Sequence, residues 1–205
     1  LLGKPIEGWR TPKLWGILKD GGKEMLTDYV WRLGIDTEVF EKHDGMRPLH
    51  MGQDINCMPE DDDTNYTATG LALVKQQGID FTPDDMATFW LRHLPILHTC
   101  TAERAAYRNF CGGVWPPASA SYRNPYREWI GAQIRADFFG YVAPGKPALA
   151  AELGWRDACI SHVRNGIYGE MWVAAMLAAA AVETDVVTII ETGLSEIPAR
   201  CRLAD

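Results

Sequence analysis

Four adjacent carboxylates and a hydroxyl, Glu60-Asp61-Asp62-Asp63-Thr64, stand just before the helix-like stretch Tyr66 to Gln77. Like charges this close repel one another, so a folded chain keeps them where something positive lies against them. A helix N-terminus supplies part of that charge through its free N–H groups and macrodipole. A hard divalent cation supplies more, since Mg²⁺ prefers carboxylate and hydroxyl oxygen and retains several waters. Asp61, Asp62, Asp63 and Thr64 offer such oxygens from one short turn. The same residue types also serve as helix caps or as a solvated acidic face. The small and apolar sequence that follows, Asn65 to Val74, marks the helix as buried. Buried carboxylates need partners, and no run of Lys or Arg lies beside these.

Two further segments have the composition of a binding surface. Tyr122 to Asp137 is dense in aromatics, Arg and Gly. Gly131-Ala132 allows close backbone approach, Arg offers a fork of donors to phosphate, and Tyr or Trp can stack on a base. The alternative is an interior turn held by Arg–carboxylate pairs. Ser161-His162-Val163-Arg164-Asn165-Gly166-Ile167-Tyr168-Gly169 precedes a long apolar helix, and a helix N-terminus beside His and Gly suits phosphate or ribose. The alternative for His162 is a cap or a satisfied core histidine. No Gly-x-Ser-x-Gly elbow accompanies Ser161, so a Ser–His hydrolase is unsupported.

These residues must be positioned by helices. Thr82-Pro83-Asp84-Asp85 reads as N-cap, first helical position and acidic first turn, predicting a helix to about His93 before Pro95. Thr101 to Phe110 is the next, ended by Gly112-Gly113, and Pro116-Pro117 opens a loop to about Arg127. Glu128 to Phe138 reads as a helix or tight turn. Pro147 to Leu153 and Trp155 to Ser161 read as two short helices. Gly166 to Val182 is Ala-rich and apolar nearly all round, which predicts a central helix. Asp185 to Gly193 is the last helix, although Val186 to Ile190 is β-prone. Residues 1–60 show no sustained periodicity and read as loops with short helical pieces around Trp15 and Tyr29. The expectation is an all-α protein, a single domain over 1–205.

Hydrophobic residues make up 47% and charged residues 23% of the 205, an ordinary globular balance for one sizeable core. A net charge of −7 argues against a general nucleic-acid binder, without excluding a nucleotide ligand. The five cysteines, Cys57, Cys100, Cys111, Cys159 and Cys201, are scattered and never paired as Cys-x-x-Cys. They fit reduced thiols in a cytoplasmic protein better than a disulfide framework or zinc site. Leu1-Leu2-Gly3-Lys4-Pro5 does not read as a secretory leader. The longest apolar run, Met171 to Val182, is shorter than the ~20 residues that span a bilayer, so no membrane partner is expected.

Taken in order, these segments resemble the ADP-ribosylglycohydrolase family over nearly the entire chain. Gly3 to Glu7 is similar to the end of the family's N-terminal Gly-rich motif, whose glutamate lies near the scissile ribose. Asp61-Asp62-Asp63-Thr64 resembles its first metal motif, usually Thr-Asp-Asp-Thr, with Asp61 in place of the first Thr. Gly131-Ala132-Gln133-Ile134-Arg135 resembles the loop, usually Gly-x-Ala-Met-Arg, that lies against the substrate's phosphates and distal ribose. His162 resembles the family histidine before a Gly/Ala-rich helix. The resemblance implies a compact all-α orthogonal bundle with a site for two Mg²⁺ ions. No match to the family's second metal motif follows Asp63. The chain therefore reads as an internal fragment, truncated at both ends; the remaining ligands would come from a C-terminal segment, covalent or on another chain, or the rest is a proteolytic product or simply absent. On that reading the 205 residues alone are inactive and poorly stable.

The resemblance implies hydrolysis of the bond between C1″ of ADP-ribose and a modified protein side chain or a small ADP-ribose-containing substrate. Asp62 and Asp63, with Glu7 as general base or gate, would be the catalytic residues. Asp61, Asp62, Asp63 and Thr64 would hold Mg²⁺, and Gly131, Ala132, Gln133, Ile134, Arg135 and His162 would bind substrate. Two rival classes stay open. One is a non-catalytic ADP-ribose binder or structural relative; the other is a hydrolase of a different N- or O-ribosyl substrate.

Overall fold

The computed structural model describes residue 6, residues 8–43 and residues 61–205. Among these residues there are ten α-helices and no strand, so the protein is all-α. The described chain forms two compact units, divided between Pro59 and Glu60.

The first unit holds α1 (Thr11–Asp20), a 3₁₀ turn (Val30–Leu33) and α2 (Thr37–Lys42). Its small core is Ile17, Val30 and Phe40, with Trp9, Leu26, Ile35 and Val39 packed against it. Asp20 receives Lys42 Nζ and contacts His43 Nε2, both at 2.8 Å, which ties the end of α2 to the end of α1. Trp15 lies in α1 and Tyr29 caps the 3₁₀ turn, as the sequence suggests. α2 has no sequence signal strong enough to read, being only six residues long.

The second unit contains α3 (Asp62–Gln77), α4 (Pro83–His93), α5 (Thr101–Cys111), α6 (Ala118–Ser121), α7 (Ala136–Tyr141), α8 (Pro147–Ala158), α9 (Asn165–Ala180) and α10 (Val186–Ser195). α4 starts where the Thr82-Pro83 signal places it: Thr82 Oγ1 accepts from Asp85 N, and Asp85 Oδ2 accepts from Thr82 N at 2.8 Å. This reciprocal capping satisfies two otherwise orphaned donors. α9 is central and packs against α7, α8 and α10. Its alanines Ala174, Ala175, Ala178 and Ala179 are buried, and small side chains let neighbouring helices come close. Gly140 of α7 uses that proximity: a β-carbon there would fall 3.0 Å from the Ala174 carbonyl oxygen.

Two details differ from the sequence reading. Pro147–Ala158 is one helix rather than two, with Gly154 inside it and facing Glu170 and Ala174 of α9. The loop after Pro117 contains the short α6, whose Ser119 hydroxyl donates to the Ile160 carbonyl at 2.7 Å. The last helix forms as expected, since the β-prone Val186 to Ile190 is helical. Asp185 caps it by accepting from Thr188 N at 2.8 Å, and the described residues offer no strand for it to pair with. None of the described helices is long and apolar enough to cross a membrane.

Candidate active site

Asp61 is the N-cap residue of α3, and Asp62 and Asp63 occupy the first turn. One carboxylate oxygen from each lies within 4.8 Å of the others. Local hydrogen bonds organise the group. Asp62 Oδ1 accepts from Asp63 N at 3.1 Å, and the Thr64 hydroxyl donates to the Asp61 carbonyl at 3.0 Å. The crowding costs the acids their ordinary acidity. Desolvation and the Asp61 and Asp63 carboxylates push Asp62 up to about 6. Asp63 is raised as well, by desolvation and by the charge of Asp61. A fourth acid belongs to this neighbourhood. Asp137, in the first turn of α7, is raised by desolvation and by the Asp63 charge. Three carboxylates held this close make a donor set that a hard divalent cation fits.

Directly behind α3 lies the turn predicted to meet substrate. Ile130–Arg135 is a 3₁₀ turn that contacts α3, α5, α8 and α9. Its inner residues Ala132 and Arg135 are buried, while Trp129 and Ile130 at its start face solvent. Arg135 is the hub of a buried polar cluster. Its Nε donates to Asp157 Oδ2, its Nη2 to the Asp157 carbonyl at 3.0 Å, and its Nη1 to Glu103 Oε1 at 3.1 Å and Ser161 Oγ at 2.9 Å. Nη2 also lies 3.6 Å from Glu170 Oε2. The guanidinium sits over the rings of Trp90 and Tyr66, at 5.1 and 5.7 Å from their centroids. Tyr66 follows the acid turn on α3, so one cation links the acid-bearing helix to the 130–135 turn.

His162 is fully buried beside this cluster. Ser161 Oγ accepts from Arg135 and shares a hydrogen bond with His162 Nδ1, 2.8 Å away. Burial and the Arg135 charge push the imidazole down to about 3, so it is neutral at physiological pH. Glu170 is buried within α9 and, through burial and the neighbouring Asp157, holds its proton far above the ordinary range. Burial raises Glu103 too, against the pull of Arg135. The cluster thus places one permanent cation among three acids, Glu103, Asp157 and Glu170.

The loop leading into the turn is stapled from beneath. Asn124 Nδ2 donates to the Ser161 carbonyl at 2.9 Å and to the Ala102 carbonyl at 3.2 Å. Val163 N donates to the Arg127 carbonyl at 2.9 Å. On its outer side Tyr126 packs edge-on to Trp129, with centroids 4.9 Å apart.

The structure therefore gathers Asp61 to Thr64 on one helix start, sets Gly131 to Arg135 behind that helix, and places His162 in the interior beneath. Glu7 lies outside the described residues. Sequence reasoning missed Glu103, Asp157, Glu170 and Asp137. The available signal was acids embedded in small or apolar helical stretches, as Glu103 is among Ala102, Ala105 and Ala106.

Comparison with family models decides what this arrangement belongs to. The ADP-ribosylglycohydrolase model matches residues 1–205. The chain belongs to the ADP-ribosylglycohydrolase family. Membership makes it a glycosyl hydrolase-type protein of the ADP-ribosyl glycohydrolase kind. Comparison with curated proteins and with solved structures gave no match.

Proposed function

We propose that this ADP-ribosylglycohydrolase family member is a Mg²⁺-dependent hydrolase that cleaves the glycosidic bond between ADP-ribose and a modified protein side chain. The observation that carries the reading is the acid turn of α3. Asp61, Asp62 and Asp63 keep their ligand oxygens within 4.8 Å of one another although the arrangement makes ionisation unfavourable. A fold that served only capping needs one such acid at the N-cap, not three in contact.

Asp61, Asp62 and Asp63, with Thr64 beside them, would hold the cation. Bound there, Mg²⁺ supplies Lewis acidity and a template for ribose hydroxyls and water. Cleavage breaks the bond between C1″ and the acceptor heteroatom through an oxocarbenium-like transition state. The oxygen of water ends on C1″, and its proton ends on the leaving side chain. The residual negative charge of the aspartates favours a developing positive charge at C1″. Glu7 is the proposed general base or gate, by family likeness alone. The 130–135 turn is proposed to meet the diphosphate and distal ribose through its outer surface, with Arg135 and His162 supporting it from the interior. An ADP-ribosylated protein, or a small ADP-ribose-containing molecule, is the proposed substrate.

Release of ADP-ribose from a mono-ADP-ribosylated protein tests the reading. The full-length protein should release it with Mg²⁺ and stop when EDTA is added, and Asp62→Ala should be inactive. Release undiminished by EDTA, or by Asp62→Ala, would contradict it.

A further inference from the structure

Glu103 lies on the buried face of α5, among Ala102, Ala105 and Ala106. Packing alone would accept another small residue there, so the carboxylate calls for a reason. Its surroundings supply one. Oε1 accepts from Arg135 Nη1 at 3.1 Å. Oε2 occupies the space above which Gly131 has no side chain, since a β-carbon on Gly131 would fall 2.7 Å from it. His162 Nε2 faces Oε1 at 3.9 Å, beyond hydrogen-bond reach. The carboxylate is therefore wedged between the start of the 130–135 turn, at Gly131, and its end, at Arg135.

Arg135 does not depend on Glu103 for its place in the core. Its Nε and Nη2 are held by Asp157, and Ser161 takes part of Nη1. What Glu103 adds is contact with both ends of the turn at once. The geometry points to Glu103 as a positioning residue for the ligand: its carboxylate, seated beneath Gly131 and tied to Arg135, fixes the height of the turn whose outer side carries Trp129 and Ile130. This inference rests on the functional reading above, in which that turn meets ADP-ribose. A turn braced from below presents its backbone already ordered, and ordering done before binding need not be repeated on binding.

The test is calorimetric titration of ADP-ribose into the full-length protein in Mg²⁺, with the Mg²⁺ affinity and melting temperature of each variant. Glu103→Gln keeps the size of the side chain and removes the charge. It should melt cooperatively and bind Mg²⁺ as the wild type does. Its ADP-ribose affinity should fall by about 10–100-fold, the range for groups that orient a binding residue from behind. Gly131→Ala should also weaken ADP-ribose binding. Adding it to Glu103→Ala, which vacates the space a β-carbon needs, should cost nothing more, giving a non-additive cycle.

Glu103→Gln binding ADP-ribose within about twofold of wild type would overturn the inference. So would simple addition of the Gly131→Ala and Glu103→Ala effects. Parallel loss of melting cooperativity, Mg²⁺ and ADP-ribose would also overturn it, by showing a general core role. Wild-type protein that binds Mg²⁺ but not ADP-ribose would overturn the functional reading and this inference with it.

Discussion

Asp62→Asn isolates the electrostatic strain of the acid turn. The substitution keeps the shape of the side chain and the Oδ1 that accepts from Asp63 N, so charge is the main change. Asp62 is pushed from an ordinary 3.8 to about 6. Full conversion of that difference gives about 3 kcal/mol. The turn is partly exposed, and solvent screening reduces the figure to about 1 kcal/mol. The sign follows from the direction. The folded chain takes up this proton more readily than the unfolded chain. The stabilisation is therefore complete below 3.8 and is lost as pH rises through about 6. Above that range ionised Asp62 works against folding, and the Asn variant escapes the penalty. In EDTA at about pH 7.5, Asp62→Asn should melt about 2–4 °C above wild type, the shift that ~1 kcal/mol produces in a chain of this length. At about pH 4 the two should melt together. Added Mg²⁺ should raise the wild-type melting temperature by mass action and leave the variant nearly unmoved. Thermal unfolding followed by circular dichroism reads all three. A melting temperature lowered at the higher pH, or a gain equal at both, would refute the reasoning.

Two other substitutions test the support of the site. Arg135→Met removes the one cation among Glu103, Asp157 and Glu170 and should cost about 3–5 kcal/mol in urea unfolding, because it leaves buried acids unpaired; a loss below ~1 kcal/mol would contradict the hub assignment. Gly70→Ala sets a β-carbon 2.8 Å from the Phe138 ring, between α3 and α7, and should destabilise by about 1–3 kcal/mol through overpacking, read as a lower denaturation midpoint.

Local signals were legible and long-range pairings were not. Thr82-Pro83 announced α4 because capping chemistry is written in neighbouring residues. The Met171 to Val182 run announced the central helix because apolarity on every face requires cover. Asp61 to Asp63 announced a charged helix start for the same local reason. The two readings of the 130–135 turn could not be separated in the sequence. Arg135 lies inward because Glu103, Asp157 and Glu170 meet it from α5, α8 and α9, and a single chain gives no sign that acids so far apart in sequence converge. Gly154 misled in the same way: it lies within one continuous helix packed on α9, which only the packing reveals.

The central claim is that the acid turn binds Mg²⁺ and that function depends on it. Isothermal titration of Mg²⁺ into the full-length protein, wild type against Asp62→Ala combined with Asp63→Ala, tests this most directly. The account predicts saturable binding to the wild type, with proton release at about pH 6 as the cation displaces the protons that Asp62 holds, and no binding to the double variant. Equal Mg²⁺ affinity in the two proteins would contradict it.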